Sequence, residues 1–228
     1  MEIINYKTVG IALVGGLIPS IIWLFFWLNQ ESTDKEPRGA LAMVFLLGAI
    51  SIMLVLPIQQ WIQALLADPN HRLVLWAAAE ELVKYLAVVV ILVKSQAIDE
   101  PIDWPIYLIT AALGFAAIEN TLFLIKPLSV GQTTAGLING QLRFLGSTLL
   151  HSIASGIVGI ALGLSMHFSS FLKKIYLLGG LILAIALHSA FNFFIIRNNG
   201  SDFLVVFSFL WVTAIIVMLL FEKLRRIS

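Results

Sequence analysis

The chain of 228 residues is 60% apolar and only 12% charged, against roughly 45–50% and about 25% in soluble domains. That excess excludes a soluble enzyme and a disordered tail, and a net charge of +1 gives no reason to expect nucleic acid or another acidic polymer as partner. With no cysteine, disulfides, thiolate metal sites and a cysteine nucleophile are excluded as well.

Crossing a bilayer takes about 20 apolar residues at ~1.5 Å each. Seven segments fit: 9–28, 40–66, 72–94, 105–126, 141–167, 173–196 and 202–221. The expected fold class is therefore all-α, a polytopic membrane bundle of about seven transmembrane helices. The first segment is too long for a signal-peptide core, and Asn29-Gln30-Glu31 offers no small-residue cleavage site, so it reads as a retained helix. The second and fifth are long enough to tilt or to start in the interface. Among the connections, 31–38 is the most polar, 98–105 carries Asp99, Glu100 and Asp103 with two prolines, and 127–140, rich in Gly, Thr and Ser, is expected to be a mobile loop. No internal repeat or linker marks a second domain, so 1–228 reads as one integral-membrane domain. Trp23, Trp27, Trp61, Trp76 and Trp104 lie near segment boundaries and read as an aromatic belt. His71 and His167 sit at segment ends and read as interfacial.

Orientation follows from Lys and Arg in the connections. The side shared with the N-terminus holds five: Lys7, Arg72, Lys126, Arg143 and Arg197. The other holds eight: Lys35, Arg38, Lys94, Lys173, Lys174, Lys223, Arg225 and Arg226. The C-terminus is expected to be cytoplasmic.

Ionisable groups at membrane depth cost about 2.5–3.5 kcal/mol each, so each marks a functional candidate. They are Glu80, Glu81 and Lys84 on helix three, Glu119 (beside Asn120) on helix four, His151 on helix five and His188 (with Asn192) on helix six. Helices one, two and seven carry no charge in mid-span. Counted from the ends shared with the N-terminal side, Glu80 lies ~12 Å deep, Glu119 ~10 Å, His151 ~15 Å and His188 ~12 Å. Four helices of alternating direction thus put their polar groups in one layer, displaced toward the outside. Glu80 and Glu81 stand four and three residues from Lys84, within pairing reach. His151, Ser155, Gly159 and Gly163 share one ridge, and Gly180, Ala184, His188 and Asn192 another. Such small-residue ridges let helices approach closely. Blander readings stand beside these: a structural ion pair at Lys84, a packing histidine at His151, and Asn120 and Asn192 as interhelical glue.

Carboxylates beside histidines can polarise a water, ligate a divalent metal or relay protons. No HExxH helix, mid-span aspartate or Gly-flanked serine elbow is present, and Ser152 or Ser155 beside His151 is a weak serine/histidine pair.

Glu80-Glu81-x-x-Lys84, Phe115-x-x-x-Glu119-Asn120, His151 and His188-x-x-x-Asn192 together resemble the motif series of the PrsW family of intramembrane proteases, within the superfamily of CAAX-processing and bacteriocin-processing membrane proteases. The likeness covers about 72–196, and the Asp34-Lys35-Glu36-Pro37 loop is similar to a family hallmark. In the wider superfamily the first motif ends in arginine one residue later and the second in histidine; Lys84 and Glu119 here point to the PrsW branch. The resemblance implies hydrolysis of a peptide bond in a single-pass, membrane-anchored protein such as an anti-sigma factor, cut on the extracytoplasmic side of a prokaryotic cell membrane. It implies Glu80 as general base, Glu81 paired with Lys84, Glu119 orienting water or binding metal, and His188 and Asn192 at the oxyanion. His151 is a further ligand or acid. Glu119, His151 and His188 would make a zinc set with a position open for water; a glutamate mechanism without metal is the other option. Two rival functions remain. A proton- or cation-coupled transporter needs a polar path from both sides, whereas the inner halves of helices three to six look apolar. A non-catalytic binding or immunity protein would have no need to keep every motif position.

Overall fold

The computed structural model describes residues 5–30, 35–92, 97–131, 133–197 and 203–228, with side chains throughout except at 133–145, 196–197 and 203. Asp34, Lys94 and the side chains of Arg143 and Arg197 lie outside the described residues. Among the described residues there are seven helices and no strand: α1 (Tyr6–Leu28), α2 (Arg38–Leu65), α3 (Pro69–Leu92), α4 (Asp103–Ser129), α5 (Thr133–Leu164), α6 (Ser170–Arg197) and α7 (Phe203–Arg225). Only helices satisfy their backbone groups within one segment, which is what a lipid-embedded chain requires.

Six of the seven are long and apolar enough to cross a membrane, and α3 is the exception. Every 18-residue stretch of α3 contains Glu80, Glu81 and Lys84. Those three side chains face inward and are buried, while Leu75, Leu82, Leu86 and Val90 cover the outer face. The segment 72–94 read from the sequence is thus a helix, and the charges that set it apart from the other six are paired inside the bundle.

The connection 127–140 is shorter than expected. α4 continues through Pro127 to Ser129, Gly131 turns the chain with φ of +74°, and α5 is already helical at Thr133. Low helix propensity in Gly and Thr is a weak prior and is overridden here. At the other end of α4, Pro105 falls inside the first turn, where a missing N–H costs nothing.

α4 is the central helix, buried almost continuously from Asp103 to Ala117, with α1, α2 and α5 packed round it and α3 touching it more lightly. Backbone contact sets these distances. A Cβ on Gly48 would lie 2.8 Å from Ala111 Cα of α4, and one on Gly114 would run into the Phe45 carbonyl of α2. On α5, the small ridge below His151 lies against the start of α4: a Cβ on Gly159 would meet the Pro105 ring and backbone. Tyr107, Leu113, Leu149, Ile153, Leu210 and Val217 form part of the apolar core. Trp27 belongs to this core as well, not to an aromatic belt. It is 1% exposed and packs edge-on to Phe26 and tilted on Phe221. Trp61, by contrast, is largely exposed, as are His71 and His167.

Candidate active site

Between α2, α3, α4, α5 and α6 lies one connected polar network. Lys84 is fully buried at its hub. Its ammonium donates to Glu81 Oε1 (2.7 Å) and to His151 Nδ1 (2.7 Å), stands 3.8 Å from Glu80 Oε2, and sits 4.7 Å from the centroid of the Phe115 ring. The i, i+3 and i, i+4 spacing on one helix turns both carboxylates toward the lysine.

The lysine settles the tautomer of His151. An ammonium has no lone pair to offer, so Nδ1 accepts from it and the ring proton of neutral His151 is on Nε2. That N–H donates to Glu119 Oε2 at 2.9 Å. Glu119 also accepts from the Ser147 hydroxyl (3.3 Å), and its side chain is the most exposed carboxylate of the group, at 17%. On α6, His188 donates from Nδ1 to Glu81 Oε1 (2.9 Å), and Ser155 donates to the other oxygen of Glu81 (3.1 Å). Glu81 is therefore a fully engaged acceptor that fixes the ring of His188. The two imidazoles meet edge to face, with centroids 5.1 Å apart.

Glu80 is held differently. Gln59 of α2 donates from Nε2 to Glu80 Oε1 at 2.9 Å. The second oxygen, Oε2, is buried without a hydrogen-bond partner and faces His188 Nε2 at 3.6 Å. With His188 protonated on Nδ1 alone, two acceptor atoms confront each other across that gap. A buried polar atom without a partner costs about 1–3 kcal/mol, so this arrangement calls for something between them.

A divalent cation fits that demand. Glu80, His151 and His188 each bring a ligand atom into a group spanning at most 4.8 Å. Two tetrahedral ligands with ~2.0 Å bonds stand about 3.3 Å apart, close to the gap between Glu80 and His188. The charge fits too: among the described residues, Glu80 and Glu81 share the one ammonium of Lys84, a formal excess of one negative charge when the histidines are neutral. His151, both of whose nitrogens are engaged, would exchange one hydrogen bond for the ion.

The residues singled out in the sequence thus divide. Glu80, Glu81, Lys84, Glu119, His151 and His188 meet in one network. The converging trio contains Glu80; Glu119 instead stands behind His151 as its hydrogen-bond acceptor. Asn192 is half-buried one turn beyond His188, and among the described residues the network's hydrogen bonds run through other side chains. Asn120 points away to Thr148 of α5 (3.0 Å), as interhelical glue does. Gln59, Ser147 and Ser155 join the site as hydrogen-bond donors to its carboxylates; of the three, the sequence singles out only Ser155, as a small ridge residue and a weak partner for His151, and its hydroxyl goes to Glu81 instead. The opposite end of α4 is also less apolar than expected. Tyr107 donates to Glu36 of the α1–α2 connection, and Asp103 Oδ2 accepts from the backbone N–H of Asp99 (3.0 Å) and Glu100 (2.7 Å).

A helical membrane bundle that gathers three carboxylates, two histidines and a lysine into one network, all but Glu119 buried, is an integral-membrane protein with an interior polar centre, of the kind a membrane hydrolase needs. The chain belongs to the PrsW family of intramembrane metalloproteases, whose profile matches residues 36–221. It is similar to Protease PrsW of Oceanobacillus iheyensis, 28% identical over 213 residues that cover 89% of this chain and 92% of that one. Protease PrsW of Geobacillus kaustophilus is 26% identical over 191 residues, covering 81% and 79%, and that of Bacillus subtilis 23% over 201 residues, covering 86% and 88%. No solved structure matches the chain.

Proposed function

We propose that this protein hydrolyses a peptide bond of a single-pass, membrane-anchored protein, such as an anti-sigma factor, at the Glu80–His188 centre. The observation that carries the reading is the buried Glu80 Oε2, without a hydrogen-bond partner and facing His188 Nε2. Kinship with proteins named Protease PrsW supports the reaction class.

Glu80, His151 and His188 would hold the metal, zinc in this reading. When bound, zinc supplies Lewis acidity and a nucleophilic water near neutral pH. The chain's own groups do the rest. Gln59 holds Glu80 by one oxygen, and Glu81 aims His188. Glu119, the carboxylate with most access to the outside of the network, takes a proton from the attacking water and returns it to the leaving nitrogen. Asn192, a turn from His188 on the same helix, would supply a hydrogen bond to the oxyanion. Lys84 neutralises Glu81 and keeps the carboxylates from repelling one another. A carrier function is disfavoured by the apolar packing of Val88, Leu92, Leu108, Ile109 and Val158, which interrupts any polar path toward Glu36.

The test is metal analysis of purified protein together with cleavage of a candidate single-pass substrate in proteoliposomes. Glu80→Gln should lose metal and activity together, whereas Glu119→Gln should keep metal and lower the rate about 10²–10⁴-fold, the usual cost of lost acid–base catalysis. Activity that survives complete metal removal would instead leave Glu80 as a general base acting on water directly. Because zinc ligands must be deprotonated, activity should also fall on acidification, with a limb that excess zinc moves to lower pH. A limb indifferent to zinc counts against the metal.

A further inference from the structure

The sequence pattern that marks the centre lies on α3 to α6, yet one of its contacts comes from α2. We propose that Gln59 is a positioning residue of the site: its amide binds one oxygen of Glu80 and thereby presents the other to a divalent cation. The inference rests on the metal reading above and extends it to a helix that contributes no ligand.

A carboxylate has two oxygens and can turn about its last torsion, which is broad and roughly two-fold. Left alone, Glu80 would rotate an oxygen toward Lys84 Nζ, now 3.8 Å away, and close a full ion pair. The Gln59 Nε2 hydrogen bond to Oε1 (2.9 Å) opposes that turn and leaves Oε2 opposite His188 Nε2. Gln59 is itself held. Trp76 Nε1 donates to its backbone carbonyl at 3.1 Å. Trp76 and Glu80 are four residues apart and so share a face of α3, and the two grip Gln59 at backbone and side chain. Its neighbour Gln60 is exposed and has no such role. An amide suits the task because it donates without carrying charge: a lysine here would compete with the cation, and a carboxylate would bind it.

The experiment titrates full-length protein in detergent with Co²⁺ against a competing chelator, and follows thermal unfolding of the metal-free form. Gln59→Met keeps the length of the side chain and removes the donor. It should weaken Co²⁺ binding about 10–100-fold, as loss of a ligand's hydrogen-bond partner does elsewhere, with the metal-free melting temperature unchanged. Gln60→Met should bind as wild type. Wild-type affinity in Gln59→Met, with binding abolished in Glu80→Gln, overturns the role of Gln59 and leaves the metal reading standing. If wild type binds no Co²⁺, or Glu80→Gln binds it normally, the metal reading falls and this inference with it. Should Gln59→Met not fold, Trp76→Phe decides. A loss in the same direction supports the clamp, and unchanged affinity makes Gln59 purely structural.

Discussion

Lys84 carries more of the site than any other side chain. It is a fully buried cation whose desolvation is offset by Glu81, the His151 lone pair and the face of Phe115. Breaking such a pair from one side leaves an uncompensated charge and costs about 3–5 kcal/mol. Lys84→Met should therefore lower the folded yield and melting temperature of purified protein, whereas Glu80→Gln should leave both near wild type. A stable Lys84→Met would mean that the carboxylates stay apart without it. The sequence makes this part of the site legible because charges are rare in apolar helices, and 80, 81 and 84 repeat at helical spacing. Gln59, Ser147 and Ser155 are not legible in the same way. Neutral polar side chains are common between membrane helices, and nothing in their spacing separates a carboxylate's partner from glue. The converging trio was also out of reach, since depth places Glu80 and Glu119 equally, and only side-chain direction sends one to His188 and the other to His151.

At the scale of helices, close backbone approach fixes where α2 lies on α4, and so where Gln59 can meet Glu80. Gly48 marks that crossing: an added methyl would fall 2.7 Å from the Ala111 carbonyl carbon, which is backbone and cannot swing aside. Gly48→Ala should cost about 1–3 kcal/mol, the usual penalty of overpacking, read as a lower melting temperature. Gly179 on α6 has nothing within 4 Å of such a methyl. Gly179→Ala should be neutral or raise the melting temperature slightly, given Gly's lower helix propensity. Equal effects at the two positions would show that the α2–α4 contact is not limiting. The long apolar runs made the helices themselves readable. Their ends were less so: the Gly- and Thr-rich 133–140 is helical, and Pro127 lies within the last turn of α4. Burial of Trp27 was hidden too, because an aromatic near a helix end looks alike whether it faces headgroups or Phe221.

For the molecule as a whole, the side from which a substrate arrives depends on orientation in the membrane. Lys223, Arg225 and Arg226 supply much of the eight-to-five excess from which we propose a cytoplasmic C-terminus. Glu222 pairs with both arginines, at 2.6 and 2.9 Å, yet acidic residues contribute little to topology, so the pairing does not cancel the signal. With that orientation the ends of α4 and α6 nearest Glu119 and His188 would face outward, and cleavage would fall on the extracytoplasmic side. A fluorescent reporter fused after Ser228 should light up in the cytosol, and a periplasmic phosphatase fused there should stay silent. Replacing Lys223, Arg225 and Arg226 together by Gln should weaken the preference, because the remaining count on that side becomes five against five. An active phosphatase on the unaltered chain would invert the molecule. The network would keep its geometry, but the peptide bond it cuts would then have to be presented from the cytoplasm, and a substrate cut outside would no longer fit.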